Sequence, residues 1–277
     1  MSIGMNIILA FLAGSVGSII GGLQGFIAYG WIGLFAVALK TCGVDVTFLE
    51  GTFMNLFFLP AVMFNGNAMA AAYTGRKYAD FPGENITKGL GHYSDCSIIL
   101  VGGLGGVIGY SVFSILNALG VPADTGALAM IIVGIGIRMT FKGKACDKGA
   151  LQYVLSGEIF TNLRGWAYPV FMAFIVAAAS AILIKEVSIW NIGFLVSAAS
   201  MIYTFVDPSF PATHHITLVA GYALQMTGNI VLAIVFGVLA QIVAILFEMI
   251  FNIRCGTHID PPGFAIMLFS ILLFVFF

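Results

Sequence analysis

The 35 residues from Met5 to Leu39 carry no charged side chain. A helix crosses the hydrocarbon of a bilayer with about 20 apolar residues. This run is therefore too long for one crossing and too apolar for an element in water. Gly21-Gly22 divides it, which predicts two helices. Gly14/Ser18 and Gly17/Gly21 are small-xxx-small pairs that let helix backbones approach closely. Long apolar runs separated by short polar ones continue to the C-terminus. Only 8% of the chain is charged and 60% is hydrophobic, against about 25% charged in soluble domains. A soluble domain is excluded, and a net charge of −1 gives no electrostatic case for nucleic acid. The expected fold is all-α, a polytopic membrane protein of about eight to ten hydrophobic segments.

Taken in order, Lys40–Thr47 is a short loop with Asp45. Phe48–Thr74 reads as a helix interrupted at Pro60 and again at Phe-Asn-Gly-Asn (64–67), because proline removes a backbone donor. Residues 75–96 form the longest polar region, and Asn85-Ile86-Thr87 in it matches a glycosylation sequon. Ser97–Leu119 is a helix with a glycine face, and Gly126–Phe141 is a shorter one whose Arg138 is placed to snorkel. Residues 142–150 are basic. Leu151–Arg164 reads as an interfacial helix carrying Glu158, and Trp166–Ile184, Val187–Val206, Gly228–Ile253 and Pro261–Phe277 read as further apolar helices. The N-terminus lacks a positive n-region, so it is not read as a removable signal peptide. Cys42, Cys96, Cys146 and Cys255 have no CxxC spacing and read as free thiols. Six of the eleven Lys and Arg residues lie in 75–96 and 142–150. Two crossings separate these loops, which places both on the cytoplasmic side, here of a bacterial inner membrane.

The segment Tyr203–Gln225 places Asp207, Pro208, Pro211, Thr213, His214 and His215 inside an otherwise apolar stretch. Facing lipid, these groups would be costly. Broken helix survives at membrane depth only where protein buries it or a cavity receives it. The stretch therefore reads as a discontinuous helix at an internal site.

The chain echoes itself at about half its length. Asp124-Thr125-Gly126-Ala127 falls against Asp260-Pro261-Pro262-Gly263, and Phe64-Asn65-Gly66-Asn67-Ala68 falls against Phe210-Pro211-Ala212-Thr213-His214. Ala28-Tyr29-Gly30-Trp31 falls against Ala167-Tyr168-Pro169-Val170. This predicts two membrane repeats, 1–150 and 151–277, within one membrane domain. Duplicated membrane folds place substrates where their repeats meet, at interrupted helices. Counting four crossings per half makes the repeats parallel.

The segment Cys255-Gly256-Thr257-His258-Ile259-Asp260-Pro261-Pro262-Gly263-Phe264-Ala265 resembles the signature of the HPP family of integral membrane proteins, roughly Gly-Thr-x-His-Pro-Pro followed by small residues. The resemblance covers the C-terminal third. Asp260 stands where the signature has His, and His258 lies two residues earlier. What the resemblance implies is a multi-helix membrane protein with a transport role, some members being linked to nitrite.

The candidate pathway residues are Asn65, Asn67, Asp124, Asp207, Thr213, His214, His215, His258 and Asp260. Histidine can relay a proton or contact an anion. The helix starts at 65–67, 124–126, 211–213 and 260–262 offer partial positive charge to an anion. Asp260-Pro261-Pro262 is also ordinary helix-start chemistry. His258, Asp260 and Cys255 match no zinc spacing, so no metal and no cofactor is expected. No catalytic triad, phosphate loop or dinucleotide motif occurs, which argues against an enzyme. The expected function is a transporter or channel for a small solute, a small anion first, acting in a lipid bilayer. The alternative left open is a membrane-anchoring subunit of a larger complex, with the basic loops as its docking surface. The glycine faces also permit a homo-oligomer.

Overall fold

The computed structural model describes residues 2–143, 148–161 and 163–277. Helix α1 spans Ile3–Ile20, starting where the Ser2 hydroxyl accepts from the Met5 amide. It stops at Gly21, whose φ of +110° suits a residue without Cβ. Helix α2, Gly22–Thr41, follows at once, so the uncharged run is two helices as its length requires. A π-helical turn, Leu49–Phe57, ends before Pro60, and α3 spans Met63–Lys77. Asp95 caps α4, Cys96–Ala118, and Asp124 caps α5, Thr125–Thr140. The short α6 (Lys148–Leu155) and α7 (Glu158–Thr161) lead into α8, Leu163–Val187. Helix α9 covers only Ile192–Ser200 and continues as a 3-10 turn, Met201–Phe205. After a non-helical stretch come α10, His214–Thr227, α11, Ile230–Phe251, and α12, Pro261–Phe276, the last two capped by Asn229 and Asp260.

Among the described residues, five helices are long and apolar enough to cross a membrane: Ile3–Ile20, Gly22–Thr41, Cys96–Ala118, Gly165–Val187 and Ile230–Phe251. Helix α4 explains why. Its buried face is Gly102, Gly103, Gly105, Gly106 and Gly109, while Leu100, Leu104, Ile108 and Ile115 point outward and are exposed. Large side chains outside and small ones inside is the arrangement of a helix packed in lipid. The contact is close enough that a Cβ on Gly106 would collide with the Ala10 carbonyl of α1.

Helices α1, α3 and α4 pack together and α4 carries α5; likewise α8, α10 and α11 pack together and α11 carries α12. Two pairs join these groups. In α2 and α9, Gly30 lies on Ala198 and Ala199 while Gly33 lies on Leu195, so the helices run antiparallel. In α5 and α12, the Asp124 amide donates to Ser270 Oγ at 2.8 Å and Gly134 lies against Ile259, again antiparallel.

Three expectations change. Val187–Val206 is not one spanning helix, since it turns at 188–191 and tightens to 3-10 geometry after Ser200. Arg138 does not snorkel to water. Only 6% exposed, it reaches into the loop after α11 and donates to Thr257 Oγ1 (2.9 Å), Asn252 Oδ1 (3.2 Å), and the carbonyls of Phe251 and Thr257. Phe-Asn-Gly-Asn (64–67) is not a break, since α3 runs through it from Met63. The end of α3 meets the residues just after α5, because Arg76 donates to the carbonyls of Phe141 (2.7 Å) and Lys142 (2.6 Å). Cys42, Cys96 and Cys255 are free thiols, and Cys146 lies outside the described residues.

Candidate functional site

Between the two helix groups lies a cavity of about 920 Å³, within the range of small-molecule sites. Both halves line it. The first contributes Phe26 and Tyr29 of α2, Pro60 and Phe64 at the start of α3, and Asp124, Gly126 and Ala127 at the start of α5. The second contributes Phe194 of α9, Pro211 to His215 at the start of α10 except Thr213, Gln241 of α11, and His258 with Asp260 to Gly263 at the start of α12.

The two caps are built alike. Asp124 Oδ1 accepts the Ala127 amide at 2.8 Å, and Asp260 Oδ2 accepts the Gly263 amide at 2.6 Å. Each therefore spends one oxygen on its own helix and turns the other elsewhere. Asp124 Oδ2 accepts the Tyr222 hydroxyl at 2.7 Å, and Asp260 Oδ1 faces His258 Nε2 at 3.4 Å. The chain after α11 holds His258 in place through the Arg138 contacts and through Asn252, whose Nδ2 donates to the Ile259 carbonyl at 2.7 Å.

His214 and His215 open α10. His215 Nε2 pairs with Gln241 Oε1 at 2.7 Å. An amide oxygen only accepts, so that nitrogen carries the proton and Nδ1 presents a lone pair. Neither His214 Nδ1 nor His215 Nδ1 has a partner, and the residues are 8% and 3% exposed. The His214 ring lies 4.6 Å from Phe26. Buried polar atoms without partners are uncommon and call for an explanation.

Helix α10 is also uncapped. The Thr213 side chain makes no cap bond and instead donates to Ser197 Oγ at 3.1 Å. Among the described residues, no backbone or side-chain acceptor meets the amides of His214, His215 and Ile216. An open helix start of this kind carries partial positive charge.

The remaining sequence candidates lie elsewhere. Asp207 sits on the surface, where it accepts from the Ser209 hydroxyl (2.6 Å) and amide (2.9 Å) in a turn; the hydroxyl first, then the amide, hold its carboxyl below the usual range. Its placement in an internal site is corrected: the turn leaves the helix before the chain comes back inside at Pro211. Asn65 donates to the Ala61 carbonyl at 3.1 Å and lies on the α4 side of α3. Asn67 is fully buried, its Oδ1 beside Gly22, and neither polar atom of its side chain has a partner. Neither amide reaches the cavity wall.

Several wall residues gave little signal in the sequence. Gln241 is the one strongly polar side chain inside the apolar run 230–247, and that isolation was its signal. Tyr29, Phe26, Trp190, Phe194 and Tyr222 had none, being a few aromatics among many. Among the described residues, no three His, Cys, Asp or Glu side chains converge as metal ligands.

Residues 160–277 match the model of a family of unknown function, DUF7973. No curated protein and no solved structure matches the chain.

Proposed function

We propose that this chain is an integral membrane transporter or channel whose small solute occupies the cavity between two halves. One observation carries the reading: helix starts from both halves meet at one cavity, with the caps Asp124 and Asp260 lining it together. A chamber of this volume, walled by aromatics and a few convergent polar groups, suits a small organic solute.

The halves are proposed to be an inverted duplication. Helices α1–α5 correspond in order and packing to α8–α12, and five elements per unit invert the second copy, which replaces the parallel arrangement. The antiparallel pairs α2–α9 and α5–α12 sit on the local two-fold axis that inversion requires. Asp124 and Asp260 then occupy equivalent positions, in line with the sequence echo between them. The echo of residues 28–31 in 167–170 is not part of this correspondence, since it relates α2 to α8. Inverted repeats with sites at helix breaks are a recurring transporter design, in which one unit rocks against the other. The resemblance of 255–265 to the HPP signature adds to the transport reading. The end that carries Arg76, Phe141 and Lys142 is assigned to the cytoplasm.

Osmotic swelling of proteoliposomes in a size-graded series of solutes tests this whatever the substrate is. Protein-dependent swelling that Ala212→Trp blocks is the expected result. Swelling no faster than in empty liposomes for every solute would end the transport reading.

A further inference from the structure

The cavity presents two opposite demands. Three carboxylates line it, Asp124, Glu248 and Asp260, against one ammonium, Lys88. Two of the three are fixed at helix starts and spend the positive ends of α5 and α12 on the protein's own charge. A solute that is only an anion would meet this excess of negative charge. At the start of α10 the demand is reversed. Among the described residues the amides of His214 and His215, which line the cavity, lack acceptors, and an open helix start favours a carboxylate or similar anion. A solute that is only a cation would leave those donors unmet, and buried donors without acceptors are costly.

These two features are neighbours. Asp260 opens α12, which packs on α10, and lines the same cavity as His214 and His215. The buried nitrogens His214 Nδ1 and His215 Nδ1, at the same helix start, also lack partners. Around them the wall is aromatic: Phe26 and Phe194 lie 5.9 Å apart, each against His214.

We propose that the solute is a zwitterion of the α-amino acid class with an apolar or aromatic side chain, an inference that rests on the transport reading above. Its carboxylate accepts from the open amides of α10. Its ammonium donates to Asp260. Its side chain packs against the aromatic wall that Phe26 and Phe194 form together. One ligand then meets both demands, because an α-amino acid carries both charges on adjacent atoms.

Three related probes test this on the full chain in detergent. Phenylalanine carries both charges, 3-phenylpropanoate lacks the ammonium and 2-phenylethylammonium lacks the carboxylate. Trp190 lines the cavity, and replacing Trp31 and Trp166 by Phe makes its emission the binding signal. Phenylalanine is expected to bind at least about ten-fold more tightly than either single-charge probe, the scale of one charge-assisted hydrogen bond. Asp260→Asn keeps an oxygen to cap α12 but loses the charge. It is expected to weaken phenylalanine about ten-fold while leaving 3-phenylpropanoate unchanged or tighter. Binding of either single-charge probe as tight as phenylalanine, or no binding of any probe, overturns the proposal. If swelling assays show flux but phenylalanine has no advantage, the inference fails and transport stands. Phenylalanine bound without flux removes the transport reading and keeps the assigned ligand.

Discussion

The Tyr222 hydroxyl donates to Asp124 Oδ2 at 2.7 Å, tying α10 of the second half to the first helix start of the cavity wall. Each Asp124 oxygen thereby has a partner, one on its own helix and the other on its neighbour. Tyr222→Phe removes the bond and leaves a carboxylate oxygen unmatched, which is expected to cost about 1–3 kcal/mol. Denaturant unfolding in detergent measures it. A variant as stable as the parent would show that this contact does not join the halves.

The two histidines are expected to separate. Among the described residues the His214 ring makes no hydrogen bond, and it packs on Phe26, so His214→Phe is expected to preserve the melting temperature and abolish solute selectivity. His215→Phe breaks the Gln241 pair and is expected to destabilise by about 1 kcal/mol as well. Paired melting and flux measurements distinguish the two; equal losses of stability would contradict the difference in bonding.

Arg138 holds the loop after α11 through carbonyl and amide oxygens. Lysine cannot present that planar fork, so Arg138→Lys is expected to cost at least about 2 kcal/mol through unmet acceptors. Cys255, buried beneath the guanidinium, provides a second readout. Maleimide should label it faster in the variant, and an unchanged rate would mean the loop is held by something else.

Glycine has opposite roles in neighbouring helices. A Cβ on Gly106 collides with Ala10 and Gly14 of α1, whereas Gly136 of α5 has open space beside it. Gly106→Ala is expected to destabilise by more than about 1 kcal/mol. Gly136→Ala is expected to be neutral or to stabilise by roughly 0.5–1 kcal/mol, through the backbone entropy that glycine loses in a helix. Thermal melts of both variants check the pair, and the same sign for both would refute the packing assignment.

Lys77 and Asp95 join the end of α3 to the start of α4 at 2.6 Å. Lys77, then the Ser97 hydroxyl and amide, hold the Asp95 carboxyl well below its usual range, and Asp95 raises Lys77. The carboxylate's contribution is complete above its ordinary pKa of 3.8 and is lost as pH falls toward the depressed value. The lysine's contribution is complete below its ordinary 10.5 and is lost as pH rises through the elevated value. Melting temperature is expected to be flat between these limits and to fall outside them. Asp95→Asn should remove this pair's share of the acid-side fall; an unaltered profile would exclude the pair as a cause.

Much of the fold was legible because lipid imposes simple constraints on a sequence. An uncharged run of that length had to break, and Gly21 was the residue able to break it. Asp124 and Asp260 were readable as caps because capping is a local matter of one side chain and an amide three residues on. Asp207 misled for the same reason. It has the same composition of acid, proline and hydroxyl, but its partner Ser209 is also local, and nothing within the stretch tells whether the turn faces a cavity or the surface.

The sequence by itself determined an all-helical chain with apolar segments long enough for a membrane, and it marked where those segments break. Periodicity, charge and proline act over a few residues, so they can be read without knowing what lies alongside. Only the tertiary structure decided which breaks meet. Helices α5 and α12 are 136 positions apart at their first residues, Thr125 and Pro261, and their caps face one chamber because antiparallel packing across the two halves brings them there. The same packing left Asn65 and Asn67 behind the wall and put Tyr222 and Gln241 on it. Proximity of that kind comes from the shapes of whole helix faces, and no short stretch of residues encodes it.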